Sequence, residues 1–194
     1  MRSNGVGVDV GINNRVTVGV LAWLFLVPGL VGAQSGLVTR EEALAAVYPG
    51  ATVEAERVFL TAEQTRRVAE LARADVPSAL VARYVARRDG QIVGRAYVDT
   101  HVVRTKRESL LISLEPRGRV RRIDVTAFLE PREYLALEPW LRQYNAKPLD
   151  NDLALQRSIR SMAGATLTAQ ATNEAVRRVL AIDRVLEADG QVRR

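Results

Sequence analysis

Two turn signals, Arg88-Asp89-Gly90 and Pro116-Arg117-Gly118, divide the middle of the chain into four runs of strand-forming residues. An Asp-Gly pair supplies the positive-φ positions that a tight β-hairpin needs. The first signal separates Ser78 to Arg87 from Gln91 to Thr100; the second separates Ser109 to Leu114 from Arg119 to Leu129. Loops this short allow only antiparallel neighbours. In the last run Val120, Ile123 (after a slip), Val125 and Ala127 alternate with Arg119, Arg121, Asp124 and Thr126, so one face is covered and the other wet.

Upstream, Thr39-Arg-Glu-Glu42 precedes Ala43 to Val47 and reads as a capping box, and Tyr48-Pro49-Gly50 ends that helix. Thr61-Ala-Glu-Gln64 opens a second helix in the same way, with Val68, Leu71 and Ala72 on one face. Thr52 to Leu60, between the two, alternates as a strand does. Glu130 to Asp152 is irregular, and a final helix from Thr168 to Ala188 carries the stripe Ala175, Val176, Val179, Leu180, Ile182, Val185 and Leu186. The expected fold is α+β, a mostly antiparallel sheet with packed helices. The expected organisation is a signal at 1–33, a helical and strand segment at 34–77, and one ligand-binding domain at 78–190.

Composition narrows the chemistry. The chain has no cysteine and a single histidine, His101, which excludes thiolate metal sites, iron–sulfur clusters, disulfides and a cysteine nucleophile. Redox chemistry, if present, needs an organic cofactor. The net charge is +6, but the arginines are interspersed with acids and aromatic residues are only 5% of the chain, so nucleic acid is not an expected partner.

Val16 to Val27 is an apolar run preceded by Arg15, broken by Pro28-Gly29 and followed by the small residues Val31-Gly32-Ala33. This pattern predicts an export signal cleaved after Ala33, with a retained membrane anchor as the alternative. The expected location is the periplasm or the outer face of the cytoplasmic membrane.

The most informative stretch runs from Ile159 to Thr168, just before the final helix: Ile-Arg-Ser-Met-Ala163-Gly164-Ala165-Thr166-Leu167-Thr168. Gly164 and Ala165 let a backbone approach a ligand closely, and a helix start offers free N–H groups to a phosphate. Taken alone, the same residues also suit a plain helix entrance capped by a threonine.

Gly164-Ala165-Thr166-Leu167-Thr168 followed by an amphipathic helix resembles the signature of the FMN-binding domain family. That family includes the FMN-carrying subunits of the sodium-pumping NADH:quinone reductase and of the Rnf electron-transfer complex. Upstream the resemblance extends to the strand Gly118 to Leu129, to Glu130-Pro131, and to Trp140-Leu-Arg-Gln-Tyr144-Asn-Ala-Lys-Pro148, covering roughly residues 78 to 186. It implies an FMN cofactor, linked through its phosphate to Thr166 by an FAD-dependent FMN transferase. Two positions depart from the family's pattern. Arg160 stands where an aspartate is usual, and Ala163 where a serine or threonine is usual.

Within the resemblance, Ala163, Gly164, Ala165, Thr166, Leu167 and Thr168 surround the phosphate, and Arg160 lies against it. Glu130 makes a polar contact; Tyr134 and Trp140 either stack on the ring or form a small hydrophobic cluster under a long loop; and His101, at a strand end in the segment Asp99 to Arg104, either faces the flavin or is a structural residue. No metal and no side-chain acid–base machinery are expected. The implied function is electron transfer with a membrane-associated redox partner. A flavin-sensing module, or an exported interaction domain that has lost its flavin, is the alternative.

Overall fold

Each capping box is present in the computed structural model, which describes residues 37–192. The expected export signal lies outside the described residues. Helix α1 (Arg40–Val47) starts on Thr39, whose Oγ1 accepts from the Glu42 N–H at 3.2 Å while the Glu42 carboxylate accepts from the Thr39 N–H at 3.0 Å. Helix α2 (Ala62–Ala72) starts on Thr61 and Gln64 in the same reciprocal way and stops at Arg73, a left-handed residue. Between them runs β1 (Thr52–Phe59).

Strands β2 (Leu80–Arg88), β3 (Gln91–Val102), β4 (Arg107–Leu114) and β5 (Val120–Phe128) follow, and the five strands form one antiparallel sheet in chain order. The α+β architecture is therefore as the sequence implies. Asp89 and Gly90 both have positive φ, 49° and 76°, which matches the right-handed twist of the two strands they join. The slip in β5 is a bulge: Ser113 pairs with Arg122 but Leu114 with Val120, so Arg121 is the extra residue. The bulge keeps Val120 and Ile123 in the same core despite their odd spacing.

Beyond β5 the chain forms a 3₁₀ turn at Arg132–Tyr134, the short helix α3 (Glu138–Leu141), and the long helix α4 (Thr166–Val192). Helices α2 and α4 pack together on one face of the sheet, where Val68, Val176, Val179 and Leu180 meet Tyr97, Leu110, Ile112 and Val125. Helix α1 covers the other face, with Leu44, Val47 and Tyr48 against Ala86, Ala96 and Leu111. Tyr48 needs Gly94 beneath it, because a Cβ there would stand 2.7 Å from Leu114 O and nearer still to the Tyr48 ring. The Tyr48 hydroxyl lies 2.7 Å from Arg95 O and accepts from the Leu114 N–H at 3.1 Å.

Three sequence expectations change. Since β1 pairs with β2 along its length and α2 packs on α4, the boundary at 77/78 does not separate two folding units. Leu71 is 37% exposed, at the margin of the α2 face that buries Val68 and Ala72. Arg121 is not on a merely wet face. It lies over the Tyr48 ring and reaches Val47 O at the carbonyl end of α1, while its neighbour Arg122 reaches Ala43 O within that helix. Among the described residues no helix is long and apolar enough to cross a membrane.

Candidate functional site

Helix α4 begins two residues earlier than its sequence pattern suggests, at Thr166, and its N-cap is Ala165, so no threonine side chain caps it. Gly164 makes the entry turn with φ of 77°, a backbone state that needs no neighbour to explain glycine, since a Cβ there would meet open space. Ala165 N–H is spent on Met162 O at 3.3 Å and Ala169 N–H on Ala165 O at 3.0 Å. The N–H groups of Thr166, Leu167 and Thr168 have no acceptor among the described residues. They face the positive end of a 27-residue helix dipole.

A cavity of about 320 Å³ opens there, a size within the range of small-molecule sites. Its walls are Gly164 to Thr168 on one side and Val103, Arg104, Glu130 and Tyr134 on the other. Thr166 is exposed, whereas Thr168 is 1% exposed and its side chain makes no hydrogen bond among the described residues. Leu167 of the cavity wall is an exposed apolar residue, as are Val102 and Leu129, next in sequence to the lining residues Val103 and Glu130.

Glu130 is buried and does a structural task as well. Its Oε1 accepts from the N–H groups of Thr105 and Lys106, both at 2.7 Å, and of Arg104 at 3.3 Å, which closes the β3–β4 loop. Those N–H bonds hold the Glu130 carboxyl below its usual range. The loop it closes brings Val103 and Arg104 to the cavity wall.

Of the residues expected to contact a cofactor, Gly164, Ala165, Thr166, Leu167, Thr168, Glu130 and Tyr134 come together. Ala163, Arg160, Trp140 and His101 do not line the cavity. Trp140 donates its indole N–H to Arg160 O at 2.9 Å and makes a T-shaped contact with Tyr144 at 5.6 Å, so it pins the segment leading to α4. The Arg160 N–H is taken by Gln143 Oε1 at 2.9 Å, and its guanidinium is exposed outside the cavity.

His101 is held between two acids, Nδ1 on Asp99 at 2.9 Å and Nε2 on Glu108 at 3.0 Å. Burial alone would lower the imidazole pKa, but the bonds to Asp99 and Glu108 outweigh it and push it up to about 9. Arg178 of α4 in turn grips Asp99 through two bonds of 2.7 and 2.8 Å, and Thr172 lies 3.4 Å from Glu108. His101 is thus the centre of a buried ionic cluster joining α4 to the sheet. The alternation Asp99-x-His101 places both on one face of β3 and was the one sequence signal for it; Glu108 and Arg178 carried none.

The chain matches no protein-family model, no curated protein and no solved structure.

Proposed function

We propose that this chain is an exported flavoprotein that carries FMN in the cavity at the start of α4, phosphoester-linked to Thr166. The observation that carries this reading is Thr166, an exposed threonine at the first turn of α4 that lines the cavity beside three unengaged N–H groups. Free N–H groups and a helix dipole are the environment a phosphate prefers. The donor set fits the rest of the group: Val103, Leu167 and Tyr134 offer apolar surface to a ring, and Glu130 keeps one oxygen, Oε2, without a hydrogen bond for a ring N–H. When bound, the flavin supplies one- and two-electron transfer, and the protein contributes orientation, electrostatics and limited solvent access. An FAD-dependent FMN transferase would make the link, and a membrane-associated redox protein would exchange electrons with it.

The test is intact mass and in-gel fluorescence of protein co-expressed with a flavin transferase in an exporting host. A mass gain of one FMN, with fluorescence that survives denaturation and is absent from Thr166→Ala, is the expected result. Colour lost on denaturation would mean non-covalent binding, and protein without flavin in either state would remove the cofactor from the reading.

A further inference from the structure

A second cleft, of about 570 Å³, lies between the β4–β5 turn and the C-terminal half of α4 and shares no lining residue with the cavity at Thr166. Two carboxylates line it, and both are already neutralised. Asp183 accepts from Arg95 Nε and Nη2 at 2.5 and 2.9 Å and from the Tyr97 hydroxyl at 2.8 Å. Glu187 pairs with Arg83 at 2.5 Å and with Arg95 at 3.4 Å.

Three more arginines line the same cleft, Arg117, Arg119 and Arg184, and none has an acidic partner among the described residues. Two of them are positioned by the chain. Arg119 Nη1 donates to Ala146 O at 3.2 Å and Arg184 Nη2 to Leu149 O at 2.8 Å. A guanidinium carries five N–H donors, so one such anchor orients the group and leaves most of its donors free. Arg117 sits at the tip of the turn beside Gly118, whose φ of 71° turns the chain over the Asp183 carboxylate, and it makes no hydrogen bond among the described residues. Like charges gathered around a concave surface raise the local potential for anions. The planar fork of arginine matches phosphate and carboxylate oxygens in pairs.

We propose that this cleft binds a small molecule bearing two or more phosphate or carboxylate groups, held by Arg117, Arg119 and Arg184. A multiply charged ligand fits because three arginines without an acidic partner line one cleft whose two carboxylates are already paired with Arg83 and Arg95. The site is independent of the flavin reading, since it shares no residue with the Thr166 cavity.

Titration calorimetry of the purified protein with pyrophosphate and, separately, with citrate at constant ionic strength tests it, with amide chemical shifts read in parallel. Saturable binding at one site is expected, with shifts concentrated at Gly118 and Arg119. Arg117→Ala and Arg184→Ala should each weaken binding by about tenfold or more, and Arg57→Ala, an exposed arginine on β1, should leave it unchanged. Arg117 and Arg184 are exposed, so both variants should keep the wild-type melting curve. Tighter pyrophosphate assigns phosphate chemistry, and tighter citrate assigns polycarboxylate chemistry. Absence of saturable binding of either up to about 10 mM, or equal affinity in wild type and Arg117→Ala, overturns the proposal.

Discussion

His101 and Glu108 are register partners on β3 and β4, and their side chains meet at 3.0 Å on the face covered by α4. The pair ties the hairpin that carries the cavity loop to the helix that carries Thr166. The charged groups around it are Asp99 on β3, Glu108 on β4 and Arg178 on α4, with Thr172 nearly two turns before Arg178 on that helix.

The pair gives stability a pH dependence. The folded pKa of His101 is pushed up from its ordinary value near 6.5 to about 9. Protonated His101 therefore contributes stability that is fully present below about pH 6.5 and lost as pH rises through about 9. A shift of that size corresponds to roughly 3 kcal/mol at most. Denaturant midpoints measured from pH 6 to pH 10 should fall across the upper part of this range. His101→Gln should be destabilised by about 2–4 kcal/mol at pH 7, because buried Glu108 loses its cation and Asp99 is left with Arg178 alone. Its profile should also be flatter near pH 9. A wild-type profile that the substitution does not flatten would contradict the assignment.

Thr166 and Thr168 differ in exposure, so they should behave differently. Thr166→Ala should abolish denaturation-resistant flavin fluorescence with a stability change within about 0.5 kcal/mol, since the side chain is exposed. Thr168→Val should keep the covalent signal while altering the spectrum or midpoint potential of the bound flavin, because Thr168 is a buried residue of the cavity wall. Covalent flavin surviving in Thr166→Ala would move the attachment elsewhere.

Glu130 should govern the order of the cavity wall. Removing its carboxylate in Glu130→Ala leaves the Thr105 and Lys106 N–H groups without their acceptor. Hydrogen exchange at these two amides should accelerate by about tenfold or more. Because the carboxyl sits below its usual range, the protection belongs to the ionised form. It should be complete above the ordinary carboxylate pKa and disappear as pH falls through the lowered folded value. Unchanged exchange rates in the variant would show that the loop holds itself.

Two glycines should respond in opposite directions to alanine. Gly94→Ala forces a methyl group against the Tyr48 ring and Leu114 O, and should cost about 1–3 kcal/mol or more. Gly190→Ala, inside α4 with open space around it, should stabilise by up to about 1 kcal/mol. Thermal melts of the two variants check both signs.

Short-range features were legible in the sequence. The capping boxes at Thr39 and Thr61 and the turns at Asp89-Gly90 and Gly118 depend on backbone states that a few adjacent residues dictate, and they appear where the residues imply. The alternation along the four central strands, together with those turns, sufficed for the antiparallel sheet. The Ile159 to Thr168 stretch marked a place where a flexible backbone, two hydroxyls and a helix start come together.

Tertiary structure decided what side chains do across distance. Nothing near Asp99 in sequence announces Arg178, and nothing near Arg95 announces Asp183; those pairs exist only because α4 lies across the sheet. Trp140 and His101 have the chemistry of ligand contacts, yet packing commits one to Arg160 O and the other to two buried acids. A local pattern fixes φ and ψ over a few residues, whereas the partner of a buried polar group is chosen by whichever element desolvates it, and burial makes an unpaired charge too costly to leave.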